Sequence, residues 1–232
     1  MKKFKQFCEE LEHLEEGVND PAIFKAVFLA GGPGSGKSFI VGKTALTSFG
    51  FRVINSDESF EHQMKKAGLD MSPEKIFSPQ GQKIRAKSKS FTMHTKRRSY
   101  MRGALGLVID GTGKNIKSIA SQKKFLEKYG YETAIVIVNT NLDTAVSRDA
   151  KRKRTIGKKS LEPMWQAVQD NIGEFQQMFG KSNTYIVDNS DGKDFEKETM
   201  STYKGIGQWS KKPPSSRFAK KWIEQEKKNK TR

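Results

Sequence analysis

Gly31-Gly32-Pro33-Gly34-Ser35-Gly36-Lys37-Ser38 is the stretch that decides how the rest of the chain folds, because it matches G-x-x-x-x-G-K-[ST] at every fixed position. Small residues at these spacings let the backbone wrap a phosphate so that successive N–H groups point inward. The helix that follows adds its positive N-terminal end. Lys37 then reaches the β- and γ-phosphates, and the Ser38 hydroxyl ligates Mg²⁺. Upstream, Val27-Phe28-Leu29-Ala30 reads as a buried strand, and a helical pattern follows the loop, which is the context the motif needs. Residues Gly31–Ser38 are therefore expected to hold Mg·ATP.

Working outward, short apolar runs alternate with helical stretches. The strand candidates are Ala26–Ala30, Arg52–Asn55, Leu107–Asp110, Thr133–Val138 and Thr184–Val187. Each is too continuously apolar for a half-exposed antiparallel strand. Helical patterns occupy 38–48, 115–129 and 161–179, the last with Trp165, Val168, Ile172, Phe175 and Phe179 on one face. This alternation predicts an α/β fold of three layers around a five-stranded parallel sheet.

Residues 1–20 pattern as an N-terminal amphipathic helix, with Phe4, Phe7, Leu11, Leu14 and Val18 at spacings of three and four. The main domain is expected over 21–203, with a helical insertion at about 58–105. Within it, Lys83–Arg102 carries eight Lys and Arg residues and no acid. Beyond 204 the chain becomes a basic C-terminal tail. Lys211–Ser216 reads as a linker and 217–232 as a Lys-rich amphipathic segment, either a flexible electrostatic contact or a docked surface helix.

A net charge of +17 favours an anionic acceptor, with nucleic acid and phosphorylated metabolites as candidates. One cysteine, Cys8, excludes an internal disulfide and fits a reducing cytoplasm. One Cys and three His give no zinc spacing. No apolar run approaches the roughly 18 residues of a membrane span. The acidic run Glu9–Glu16 stands where a signal peptide has its apolar core.

Many P-loop classes share the loop. There is no Asn-Lys-x-Asp guanine signature, and Asp110 is followed by Gly111-Thr112 instead of the second acid that polarises water in many motor ATPases. Phosphoryl transfer is the leading class.

Three further motifs resemble those of the polynucleotide kinase and zeta-toxin kinases. Ile54-Asn55-Ser56-Asp57 is similar to their second-strand motif, in which the Asp is the base facing the acceptor hydroxyl. Ile109-Asp110-Gly111-Thr112 is similar to the acid-Gly-Thr that ends the third strand in zeta-like kinases. Arg148-x-x-x-Arg152-x-Arg154, followed by Gly157, resembles their arginine-bearing lid at about 148–160. The resemblance covers about residues 22–190 and implies the strand order 2-3-1-4-5. It departs at Phe60, where those kinases usually place an acceptor-holding Arg, so that contact is expected to come from elsewhere.

The expected roles follow. Asp57 is the base, Lys37 and the lid arginines Arg148 and Arg152 neutralise the transferring phosphoryl, and Ser38 and Asp110 hold Mg²⁺. Plainer roles stand beside these: Asp57 as a helix N-cap, Asp110 as a strand-end turn residue, the lid as a solvated charge run. The basic insertion, with Phe91, His94 and Tyr100 among its cations, is either a single-strand nucleic-acid track or a solvated helix pair. The acceptor is marginally a polynucleotide 5′-hydroxyl, with a nucleotide-sugar or other small metabolite close behind. A nucleic-acid-stimulated ATPase is the reading from another class.

Overall fold

A computed structural model describes residues 17–39, 46–152 and 155–230. The five strands are β1 (Lys25–Ala30), β2 (Arg52–Ile54), β3 (Leu107–Asp110), β4 (Glu132–Asn139) and β5 (Thr184–Asp188). They pair in parallel in the order β2-β3-β1-β4-β5, as the resemblance implied. Every expected strand lies within one residue of its observed bounds; the central β1, β3 and β4 are the apolar runs that burial on both faces requires, while β2 and β5 at the edges are only partly buried.

Alternate side chains of each strand enter different cores. Phe28, Ile109, Ile135 and Ile137 pack with Phe175 and Phe179 of α7 (Lys158–Phe179) and with Ile119 and Leu126 of α5 (Ile116–Lys128). Val27, Leu29, Val108, Val136 and Val138 pack on the other face with Ile206 and Trp209 of α8 (Phe195–Ser210).

Helices α1 (Asp57–Lys66), α2 (Pro73–Phe77), α3 (Pro79–Phe91) and α4 (Arg97–Arg102) form the insertion, with a π-turn at Thr92–Lys96 joining the last two. Phe60, Met64 and Ile76 give it a small core of its own. After β4 come α6 (Leu142–Ala150) and α7, and the chain ends in α9 (Arg217–Lys230). Among the described residues no helix is long and apolar enough to cross a membrane.

One expectation lies almost wholly outside the described residues and two change in part. The N-terminal helix falls outside the described residues except for a 3₁₀ turn at 17–19. In the expected 38–48 helix, 40–45 are likewise outside, and Leu46–Phe49 is a 3₁₀ turn. The change of character near 204 lies inside α8, whose buried Ile206 and Trp209 belong to the second core.

The C-terminal segment is a docked helix. Trp222 and Phe218 of α9 meet Phe24 edge-on at 5.4 and 6.2 Å. Ser215 donates from both N and Oγ to Glu132 Oε1 at 2.7 Å. Glu132 also pairs with Lys25, whose side chain is completely buried. Burial pushes the Glu132 carboxyl up, but hydrogen bonds from Lys25 and Ser215 outweigh it and hold the group below the usual carboxylate range.

Glu132→Ala strands the buried Lys25 ammonium. It should destabilise by about 3 kcal/mol, the low end for a broken buried pair because Glu132 is partly exposed, and lower the melting temperature by roughly 6–12 °C. Adding Lys25→Met should recover much of this. A thermal shift below about 2 °C would mean that Lys25 finds another partner. Because the folded carboxyl is depressed, this contribution is complete above about pH 4.3, the unfolded value for Glu, and is lost as pH falls through the folded one.

Candidate active site

The loop Gly31–Ser38 leaves the C-terminal end of β1, at the rim where parallel α/β sheets bind ligands. Its glycines answer to two close approaches. Gly34 has φ 77° and lies against the α6 backbone at Ala145; Gly36 has φ 89° and lies against Asn189, so a Cβ at either would collide. Asn189 donates from Nδ2 to the Ser35 carbonyl at 2.7 Å and braces the loop from beneath. Trp165 supports the same end, donating from Nε1 to Thr140 O at 2.7 Å.

Ser35 Oγ is buried without a hydrogen-bond partner among the described residues, and a Cβ at Gly31 would come within 2.7 Å of it. Lys37 Nζ folds back onto the carbonyls of Gly31 and Gly32. An unpartnered hydroxyl and an ammonium resting on backbone carbonyls across a glycine cradle are donors suited to a phosphate.

Burial lowers the Lys37 pKa. Asp110 and Asp57 pull it back up, while Arg152 pushes it down further. All three side chains therefore lie within electrostatic reach of the ammonium. Burial also raises the Asp110 carboxyl, against the pull of Lys37, and neighbouring Asp57 adds to the rise. Asp110 thus lies between Lys37, which favours its charge, and Asp57, which opposes it. Hard oxygen donors at Asp110 and Ser38 suit Mg²⁺, which keeps most of its shell as water and phosphate oxygens.

Asn55 joins the two acids. Its Nδ2 donates to Asp110 Oδ2 at 2.7 Å, and its Oδ1 accepts the Asp57 N–H at 2.7 Å. Asp57 is thus the first residue of α1 and not its N-cap; Ser56 holds that position and makes no side-chain cap bond. The Asp57 carboxylate stays exposed. This bridge was only weakly legible in the sequence, as the Asn of the Asn-x-Asp motif.

The two lid arginines do not converge. The spacing of four assumes one continuous helix, but α6 ends at Ala150 and Arg152 lies in the turn beyond it. Arg148 Nη2 donates to Asp191 Oδ1 at 2.8 Å, whereas Arg152 lies within electrostatic reach of Lys37. Arg154 lies outside the described residues. Asp149, buried at the end of α6, accepts the N–H groups of Ile156 and Gly157 at 3.0 and 3.1 Å and so ties the residues before α7 to the end of α6.

Several cations of the basic insertion have local work. Arg85 stacks on Phe60 at 4.4 Å, Arg97 stacks on Phe125 at 4.4 Å, and Lys96 pairs with Glu58 at 3.6 Å. Tyr100 packs against the first core, while Phe91 is 50% exposed. Beside Asp110, between α3, the π-turn and the start of α5, lies a cleft of about 230 Å³.

A family model described as AAA domain matches residues 27–174. No curated protein matches the sequence. Among solved structures, the chain is similar to one from the PezAT chromosomal toxin–antitoxin system of Streptococcus pneumoniae. The TM-score is 0.54, at 14% identity, over 81% of this chain and 88% of that one. It is similar to a chain of the AvrRxo1-ORF1:-ORF2 structure with ATP, with a TM-score of 0.52 and 17% identity. That match covers 78% of this chain and 61% of the other, so less than two thirds of its length is spanned. Shikimate kinase from Bacteroides thetaiotaomicron is also similar, with a TM-score of 0.50 and 14% identity over 80% of this chain and 97% of that one. The fold is that of the P-loop kinases.

Proposed function

The chain belongs to the AAA domain family, and on that premise we propose that it is a kinase that moves the γ-phosphoryl group of Mg·ATP to a hydroxyl acceptor. One observation carries this reading: Asn55 ties Asp110 to the head of α1 at Asp57, and both acids lie within electrostatic reach of Lys37 at the phosphate loop. Asp57, exposed at the head of α1, takes the proton of the acceptor hydroxyl as that oxygen attacks. Lys37 and Arg152 neutralise charge spreading over the transferring phosphoryl. Ser38 and Asp110 would hold Mg²⁺, which when bound offsets the charge of the β- and γ-oxygens. Arg148 takes part only if a closing lid releases it from Asp191. A lone cysteine supports work in a reducing compartment, the cytoplasm.

The test is incubation with γ-labelled ATP and a panel of hydroxyl acceptors. Label on any of them supports the kinase. Nucleic-acid-stimulated phosphate release with no labelled acceptor would replace it with an ATPase. A polynucleotide 5′-hydroxyl remains a second acceptor reading, supported by Lys83, Lys87, Arg98 and the ring of Phe91, all exposed on the same insertion.

Asn55→Ala should lower phosphoryl transfer by about 10–100-fold, as loss of a group that orients a metal-ligating carboxylate does. The Mg²⁺ concentration for half-maximal rate should rise with it. An unchanged Mg²⁺ dependence would reduce Asn55 to a turn residue.

A further inference from the structure

We propose that the cleft beside Asp110 is the acceptor pocket, and that it takes a small hydroxylated metabolite carrying its own anionic group, held between Lys89 and Lys114. The proposal rests on the kinase reading and names the substrate class for that site.

Asp110 and Ser56, the residue before Asp57, contribute to the lining. Lys89 enters from α3 and Lys114 from the β3–α5 loop. Neither lysine has an ion pair among the described residues, and Asp110 is the sole acid in the lining. Asp110 already accepts from Asn55 and interacts with Lys37, so the two lysines leave the cleft positive. The start of α5 adds to this. Asn115 caps it by accepting the Ser118 N–H at 2.9 Å, and Asn115, Ser118 and Gln122 of that end line the cleft.

Lys114 is not on a loose loop. Asn171 of α7 donates to the neighbouring Gly113 carbonyl at 2.9 Å and ties the turn down. Gln122, whose Nε2 donates to Ser118, adds a polar side chain to the same wall. Phe28, Met93, Ile109 and Ile119 supply apolar wall for a carbon skeleton.

Size argues against a polymer. At about 230 Å³ the cleft lies below the usual range for drug-sized ligands, roughly 300–1,000 Å³. A single-strand track needs stacking rings along an open groove. Here Tyr100 packs against the core and exposed Phe91 is not part of the lining.

The experiment is calorimetric binding to the full chain saturated with Mg·ADP. Its probes are D-glucose, D-glucuronate and D-glucose 6-phosphate, which share a ring and differ in charge, and a 5′-hydroxyl oligonucleotide. At least one anionic sugar should bind tenfold or more tighter than glucose, and the tighter of the two tells carboxylate from phosphate. Lys89→Gln and Lys114→Gln should each erase most of that preference while leaving the Kd for Mg·ADP unchanged. Equal binding of glucose, no binding of any sugar, or retained preference in both variants would overturn the proposal. So would an oligonucleotide that displaces the sugars with a salt slope near 0.7 per phosphate contacted. Anion binding at the two lysines without label transfer from ATP would instead leave the pocket standing and sink the kinase reading.

Discussion

Lys37→Ala is expected to abolish phosphoryl transfer, a loss of at least about 10²–10³-fold, while leaving the fold as stable as wild type or slightly more so. The two effects separate because the ammonium is held for the ligand at a cost to the protein. Burial lowers its pKa, so in the ligand-free state the charge is disfavoured, and only Asp110 and Asp57 compensate. Its hydrogen bonds go to the backbone carbonyls of Gly31 and Gly32. Removing a desolvated cation therefore relieves the ligand-free protein. In the transition state the same cation faces charge developing on the phosphoryl oxygens, where one preorganised donor is typically worth about 2.7–4 kcal/mol. Thermal unfolding with and without Mg·ATP separates the two. At 100-fold over Kd, ATP should stabilise wild type by about 2.7 kcal/mol, and much of that gain should vanish in the variant. Undiminished turnover in a folded Lys37→Ala protein would sink the assignment of the loop.

Asp57→Asn should leave ATP affinity nearly intact and lower transfer by about two to four orders of magnitude, the usual range for a positioned base. The substitution is nearly isosteric and the helix start should survive it. What closes the turn into α1 is the Asn55 side chain accepting the backbone N–H at position 57, which the substitution leaves in place. A merely structural Asp57 would thus lose almost nothing. The charge change should also be felt at Asp110, whose carboxyl is raised in part by Asp57. With that neighbour neutral, Asp110 ionises more readily, so any acid limb of the rate profile that it sets should move to lower pH. Single-turnover transfer at saturating ATP, across pH, reads both effects. A loss under about tenfold would demote Asp57 to a helix-start residue.

Consecutive residues carry the chemistry that was legible without coordinates. A phosphate loop is one contiguous run of small residues ending in Gly-Lys-Ser, since the backbone that wraps the anion must be continuous. Parallel strands buried on both faces must be nearly unbroken apolar runs, which is what β1, β3 and β4 at the centre of the sheet are. Contacts between distant residues were decided only by folding. Asn189 braces Ser35 from 154 positions away, and Glu132 neutralises Lys25 across 107. Neither pairing leaves a local pattern, because an amide or a carboxylate at a strand end looks like any other polar residue. The lid shows the same limit at short range. Arg148 and Arg152 look equivalent in a run of cations until α6 ends between them, leaving one paired with Asp191 and the other within electrostatic reach of Lys37. The basic insertion divides likewise. Arg85 and Arg97 stack on rings of the protein while Lys89 lines the cleft, since a charge acquires its role from what packs around it and its own letter does not record that.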